Sequence, residues 1–268
     1  MRTEIKRTAL NITTRCNLRC KHCLAFIPYY QNPAHLPYEQ AKKILDVYFK
    51  VVDSVERFTV TGGEPLLNPD VYKILQAVYA YGGQVAGSVD FVTNGTILIP
   101  HNMLDLFERH RVKTRIVLSN YGPELSRKVN LIEEELKDRG IVYRISKFYG
   151  ADLYYGGWID FTDHTLKWDT ETAKEDNARK CIHSAGKYFV INDGELHRCS
   201  RSFWRMKQGI IPKKLGEYVP LLDDSYTLED KRKILLEMWD RNSSTSCAHC
   251  VGLTNSAPRV LPAQQLDS

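Results

Sequence analysis

Between residues 8 and 150, short β-branched or aromatic runs alternate with stretches whose apolar positions recur every three or four residues. Residues 10–13 form a first strand, after which Ala41, Ile44, Leu45, Tyr48, Val52 and Val55 fall at helical spacing. "RFTVTGGEP" reads as a second strand running into a glycine turn. "NPDVYKILQAVYAYGG" then has the form of a helix, with Asn68 as N-cap, Pro69 in the first turn and Val71, Ile74, Leu75 and Val78 on its buried side. "VDFVTNG" with "HNMLDLFERH" makes a third pair. "TRIVLSN" with "ELSRKVNLIEEELKDRG" makes a fourth, with Leu125, Val129, Ile132 and Leu136 on one face and Gly140 as its stop, and "VYRISKF" is a fifth strand. Strands alternating with helices predict a parallel α/β sheet, barrel or doubly wound, whose ligands gather at the carboxyl ends of the strands.

Past residue 150 the alternation stops. Residues 154–176 are polar, aromatic and glycine-containing and read as loop or linker. Residues 187–200 read as a hairpin turning at Asn192-Asp193-Gly194, and residues 228–241 as a helix opened by Thr227 and Asp230 at capping-box spacing. Residues 255–268 show no periodicity. The expected division is therefore 1–170 for the repeating α/β unit, 171–254 for a small hairpin-plus-helix domain and 255–268 for an irregular tail.

Composition narrows the class. Of 268 residues, 43% are hydrophobic, enough for a sizeable core. No apolar run is long enough to span a membrane, and the first residues lack the apolar centre of a secretory signal, so the expectation is a cytoplasmic chain with no membrane partner. Lys and Arg number 37 against 32 Asp and Glu, a scattered excess of +5 that gives no sign of a nucleic-acid partner. Seven cysteines in a reducing compartment point to metal ligation or catalysis rather than disulfides.

Three of them, Cys16, Cys20 and Cys23, follow the first strand as Cys-x3-Cys-x2-Cys. Closed zinc sites and ferredoxin-type clusters use four protein ligands, so three thiols leave one metal position open to an exogenous group. A zinc site completed by His22 is the competing reading. Gly62-Gly63-Glu64-Pro65, Thr93-Asn94-Gly95 and Ser119-Asn120 lie past the ends of the next strands, where all would face the same site, although each alone is compatible with a plain turn.

These residues together resemble the radical S-adenosylmethionine (SAM) enzymes over roughly residues 8–150. The resemblance implies a partial (β/α)6 barrel and a [4Fe-4S] cluster on Cys16, Cys20 and Cys23. Its open iron would take the amino and carboxylate groups of S-adenosyl-L-methionine, and reductive cleavage would give a 5′-deoxyadenosyl radical. It further implies that the turn Gly62, Gly63, Glu64, Pro65 receives the methionine amino group, that Asn94, Ser119 and Asn120 reach ribose and carboxylate, and that His22 stands where the family usually has an aromatic residue.

The remaining Cys181, Cys199, Cys247 and Cys250 are the number a closed site needs. Their arrangement around a hairpin and a late Cys-x2-Cys resembles the shortened SPASM region, the twitch domain, which implies a second [4Fe-4S] cluster; a zinc ribbon on the same thiols is the alternative. The three-plus-four layout is similar to that of cyclitol-oxidising members of the family. It implies two-electron oxidation of a hydroxyl-bearing carbon in a polyhydroxylated small molecule, with an external low-potential electron donor as partner.

Trp158, Asp160, His164, Trp168, Asp169, Arg201, Trp204 and Arg205 are candidates for stacking on and hydrogen bonding to such a polyol, and Arg144, on the fifth strand, for the catalytic polar group. Peptide-modifying or epimerising radical chemistry is the nearest rival. The first expects a recognition module ahead of the core, for which a strand beginning near residue 8 leaves no room; the second expects a spare thiol. A zinc or iron-sulfur electron-transfer or binding protein is the rival of another class.

Overall fold

The computed structural model describes residues 2–267. Its strands and helices run in the order β1 (Glu4–Asn11), α1 (Tyr38–Val51), β2 (Ser54–Thr61), α2 (Val71–Ala80), β3 (Val85–Thr93), α3 (His101–Arg109), β4 (Thr114–Asn120), α4 (Val129–Asp138) and β5 (Tyr143–Lys147). They continue with α5 (Glu171–Lys180), α6 (Ile182–Ala185), β6 (Phe189–Asn192), β7 (Glu195–His197), α7 (Ser200–Lys207), β8 (Tyr218–Pro220), α8 (Leu228–Asp240) and α9 (Thr245–Ala248). One sheet holds every strand of the described residues, in the order β5-β4-β3-β2-β1-β6-β7-β8. From β5 to β6 all neighbours are parallel, and β7 and β8 add on antiparallel. The sheet is not closed, as in a partial barrel.

Alternation along the strands decides which face each residue serves. Leu10, Phe58, Val60, Phe91, Ile116 and Leu118 point toward the helices and join Ile44, Leu45, Ile74, Leu75, Phe107 and Ile132 in the main core. Buried apolar area of this kind supplies the bulk of the folding free energy, and a polar pair such as Tyr48 Oη donating to Thr8 Oγ1 at 2.7 Å is satisfied within it. The opposite face carries Arg7, Asn11, Arg57, Thr59, Asp90 and Arg115, residues with no place in a dry core.

Helix ends follow the sequence closely in two places. At the end of α4, Gly140 adopts φ +62°, Gly140 N–H reaches Lys137 O and Ile141 N–H reaches Leu136 O, the paired bonds of a Schellman stop. At the start of α8, Thr227 accepts from Asp230 N–H while the Asp230 carboxylate accepts from Thr227 N–H, a capping box.

Elsewhere local pattern and structure differ. Asn68 does not cap α2; Asp70 holds that position, and Asn68 is buried with its amide donating to Ile12 O and Leu36 O, tying the turn after β2 to the loop after β1. Leu125 precedes α4, and its side chain packs beside the three-cysteine loop. The stretch expected to be loop ends in α5, started by Thr170 Oγ1 accepting from Ala173 N–H. The hairpin of β6 and β7 is not a separate layer either. β6 pairs with β1 in parallel, so the sheet runs across the expected boundary at residue 170.

Candidate active site and four-cysteine pocket

β1 ends at Asn11, and the chain then loops through Cys16, Cys20 and Cys23 before returning at Leu36. Backbone bonds from Leu36 N–H to Ile12 O and from Thr14 N–H to Ala34 O, both 2.8 Å, close the loop on itself. Inside it, Leu18 N–H donates to Cys16 Sγ at 3.4 Å, and the Asn94 amide lies 3.7 Å from the same sulfur. The irregular tail crosses this loop. Lys21 N–H bonds Gln264 O, Leu266 N–H bonds Arg19 O, and Gln265 Nε2 donates to Cys20 Sγ at 3.3 Å.

Gly62 and Gly63 are required here by close approach. A Cβ on Gly62, at φ +153°, would stand 2.4 Å from Thr13 O, and one on Gly63 would stand 2.1 Å from Arg15 O. Their backbone runs directly against the loop entering Cys16, with Gly63 N–H on Thr13 O and Glu64 N–H on Arg15 O. The family resemblance gives this turn the methionine amino group; the structure gives the two glycines a prior task, docking turn on loop.

The three thiols surround a cavity of about 140 Å3 bounded also by Thr61, Gly62, Gly63, Asn94, Ser119, Tyr121 and Trp158. Of the residues expected to contact the cofactor, Gly62, Gly63, Asn94 and Ser119 thus meet the cysteines. The others lie outside the cavity wall. Glu64 is fully buried, its carboxylate accepting from Asn94 N–H at 2.8 Å, Thr93 Oγ1 at 2.9 Å and Leu66 N–H at 3.1 Å, which braces one strand-end turn against the next. Pro65 opens a short 3-10 turn, His22 Nδ1 sits 3.2 Å from Asp160, and Asn120 Oδ1 accepts from Gly122 N–H. Tyr121, the residue after Asn120, stacks on Phe148 and meets Trp158 edge to face, lining the cavity with aromatic surface.

Burial sets the protonation of this region. It pushes the Cys16 thiol up to about 12 and the Cys20 thiol up to about 11, and raises Cys23 as well. Metal loading must therefore displace protons from buried thiols. Burial also lifts Glu64 from 4.5 to about 7 against its three hydrogen-bond donors. Between those values the folded chain holds the proton and the unfolded chain has lost it, so this group makes stability fall as pH rises from about 4.5 to about 7. In urea titrations of the cluster-free protein, Glu64→Gln is expected to flatten that slope; an unchanged slope assigns it elsewhere.

A second pocket collects the other four thiols. Cys181 and Cys199, just before α6 and α7, Cys247 in α9 and Cys250 just after it line it together with Arg198, Arg201 and His183. Backbone N–H groups of Leu253 and Gly252 donate to Cys181 and Cys250, each at 3.3 Å. Arg201 is 2% exposed and lies over the Phe161 ring; among the described residues its Nε and Nη1, and Arg205 Nη2, are buried without a hydrogen-bond partner. Burial opposes the Arg201 charge, but Cys199, Cys250 and Cys181 outweigh it and raise its pKa, while Arg201 and Arg205 draw Cys250 down despite its burial. Among the described residues, no group of three or more His, Cys, Asp or Glu is placed to hold a single metal ion.

The polar-aromatic candidates do not gather into one polyol surface. Trp158 enters the three-cysteine cavity, Asp160 pairs with His22, and Asp169 is exposed. Trp168 Nε1 donates to Cys250 O, Arg205 holds Ser246, and His164 and Trp204 pack around Phe26. Arg144 is exposed, with its guanidinium 5.3 Å above the Tyr154 ring.

Residues 10–146 match the model of the radical SAM superfamily, and the chain belongs to that superfamily. It is accordingly an enzyme of the kind that binds S-adenosylmethionine and a [4Fe-4S] cluster. The residues present fit those groups: three thiols border a cavity that has room beside them, with glycine backbone at its edge. Among curated proteins, GTP 3′,8-cyclase 1 of Mycobacterium tuberculosis is 34% identical over 93 residues, 33% of this chain and 25% of that protein. The AdoMet-dependent heme synthase of Oleidesulfovibrio alaskensis is 28% identical over 117 residues, 44% of this chain and 29% of that one. The matched stretch thus spans less than a third of either relative.

Among solved structures, BtrN in complex with AdoMet and 2-DOIA aligns over 99% of this chain and 100% of its own at a TM-score of 0.53 and 14% identity. Native anSMEcpe with bound AdoMet aligns over 96% and 93% at a TM-score of 0.55 and 12% identity. At these identities the likeness is one of fold. No described helix is long and apolar enough to cross a membrane.

Proposed function

We propose that the protein is a radical SAM oxidoreductase that removes hydrogen from a hydroxyl-bearing carbon of a sugar-like or cyclitol substrate and completes a two-electron oxidation to the carbonyl. The observation that carries this reading is the four-thiol pocket around Arg201, whose unpaired buried nitrogens call for an anionic occupant. A four-iron cluster with four thiolates is such an occupant, and hydrogen bonds to its sulfurs tune its potential. Cys181, Cys199, Cys247 and Cys250 would hold it in a twitch-like region. The whole-length likeness in fold to BtrN, crystallised with AdoMet and 2-DOIA, supports the same reading.

Cys16, Cys20 and Cys23 would hold the first cluster, with S-adenosylmethionine bounded by Gly62, Gly63, Asn94 and Ser119. When bound, these groups supply the 5′-deoxyadenosyl radical and, at the second cluster, a place for the second electron. The chain's own part is to position and to exclude water. Tyr121 and Trp158 wall the cavity where the carbon radical would be exposed to solvent. Arg144 is suited to favour the ionised hydroxyl from which the last electron departs most readily. An external low-potential donor would supply the electron that starts each turnover.

The test is anaerobic reconstitution with iron and sulfide, followed by dithionite, S-adenosylmethionine and a panel of cyclitols and aminocyclitols. One trapped carbonyl per 5′-deoxyadenosine is expected. Solvent deuterium at an inverted carbon, or turnover of peptides in place of polyols, overturns the proposal.

A further inference from the structure

The face of the sheet turned away from the helices is charged in an unbalanced way. Register aligns Arg7 with Arg57, Thr59 with Asp90 and Asp90 with Arg115, and Val117 with Arg144, all on that one face by strand alternation. Four guanidiniums thus confront one carboxylate across β1 to β5. Asp90, 2% exposed, pairs with Arg115 and lies 3.6 Å from Arg57 Nε, which leaves an excess of three positive charges. Arg7 is held below its ordinary pKa, chiefly by burial, with Arg57 and Arg144 adding like-charge pressure against the relief from Asp90 and Tyr188. Among the described residues, the fully buried Thr59 hydroxyl and Arg115 Nε have no hydrogen-bond partner.

This face reaches toward both thiol groups. Its upper positions Thr61, Val92 and Ser119 line the three-cysteine cavity. At its lower end Arg7 lies within electrostatic reach of His183, which lines the four-cysteine pocket. A substrate lying between the sites would rest on the arginines.

Three half-buried guanidiniums and an exposed one gathered around a single carboxylate are short of counter-charge, and planar guanidiniums match carboxylate and phosphate oxygens in pairs. We infer that the inner face built from Arg7, Arg57, Arg115 and Arg144 is an anion subsite, and that the substrate is a polyol bearing a phosphate ester or a carboxylate. This rests on the reading of the protein as a polyol oxidase and sharpens its substrate class. A cationic aminocyclitol would meet the wrong sign of charge here.

Calorimetry on the reconstituted, S-adenosylmethionine-bound enzyme tests it, with myo-inositol 1-phosphate, glucuronate, myo-inositol and scyllo-inosamine as probes. At least one anion is expected to bind roughly tenfold or more tightly than the neutral and cationic polyols. Arg57→Met and Arg144→Met should each erase most of that preference by weakening the anions more than myo-inositol; Lys50→Met, on the exposed side of α1, should leave the preference intact. Arg144 is exposed and lies apart from the Asp90 pairs, so its variant keeps the test valid if Arg57→Met fails to fold. Binding of neither anion, equal binding of all four probes, or a preference untouched by Arg144→Met overturns the subsite. Carbonyl formation scored in parallel separates the two proposals: tight anion binding without a carbonyl sinks the oxidation alone, and a carbonyl from the amine or neutral polyol without anion preference sinks the subsite alone.

Discussion

Cys16→Ala is expected to reduce 5′-deoxyadenosine release to background, whereas Cys247→Ala should leave that release in place and lose the carbonyl product. The contrast follows from where the thiols stand. Cys16 borders the cavity shared with Gly62, Gly63 and Asn94, and a three-thiol set cannot lose a member and still hold its metal with one position left for the sulfonium. Cys247 belongs to the pocket around Arg201 and does not border that cavity. Chromatographic quantification of 5′-deoxyadenosine alongside trapped carbonyl reads both. Loss of nucleoside in both variants would mean that the four-thiol pocket supports the fold of the first site, and retention of carbonyl in Cys247→Ala would remove the second cluster from the chemistry.

Gly63→Ala is expected to destabilise the chain by about 3 kcal/mol and to abolish S-adenosylmethionine binding. The new methyl would lie 2.1 Å from Arg15 O, a backbone atom that cannot rotate away, so the turn must lift from the loop that presents Cys16. Gly83→Ala is the control: a Cβ there meets nothing within 4 Å, and its effect should stay near zero. Urea midpoints and equilibrium dialysis with labelled S-adenosylmethionine measure the two effects. Binding by Gly63→Ala at the normal affinity would show that the turn's contact with Arg15 is dispensable.

The alternation of strand and helix through β5, the stop at Gly140 and the capping box at Thr227 were legible because each depends on neighbours a few residues apart. The placement of the three cysteines beside Gly62, Gly63, Asn94 and Ser119 was legible for a related reason: in a parallel sheet, every strand-end loop opens on the same edge. The internal bonding of Glu64 was not legible, since nothing local says that its carboxylate accepts from Asn94 and Thr93. Arg201 and Arg205 stand in the sequence only as candidates for polyol contact, because sequence cannot show that α7 turns them inward toward Ser246 and the four thiols. Gln265 carried no signal at all; its bond to Cys20 joins residues 245 positions apart.

The sequence by itself determined the number and spacing of the thiols, the repeating unit and the edge of the sheet at which a cofactor would collect, because these follow from period, turn chemistry and topology. Only the tertiary structure decided that β6 extends the first sheet, that the tail lies across the cysteine loop and that four arginines share the inner face with a single aspartate. Those relations arise when strands distant in sequence fall into register, and a side chain's electrostatic surroundings exist only after that register is set.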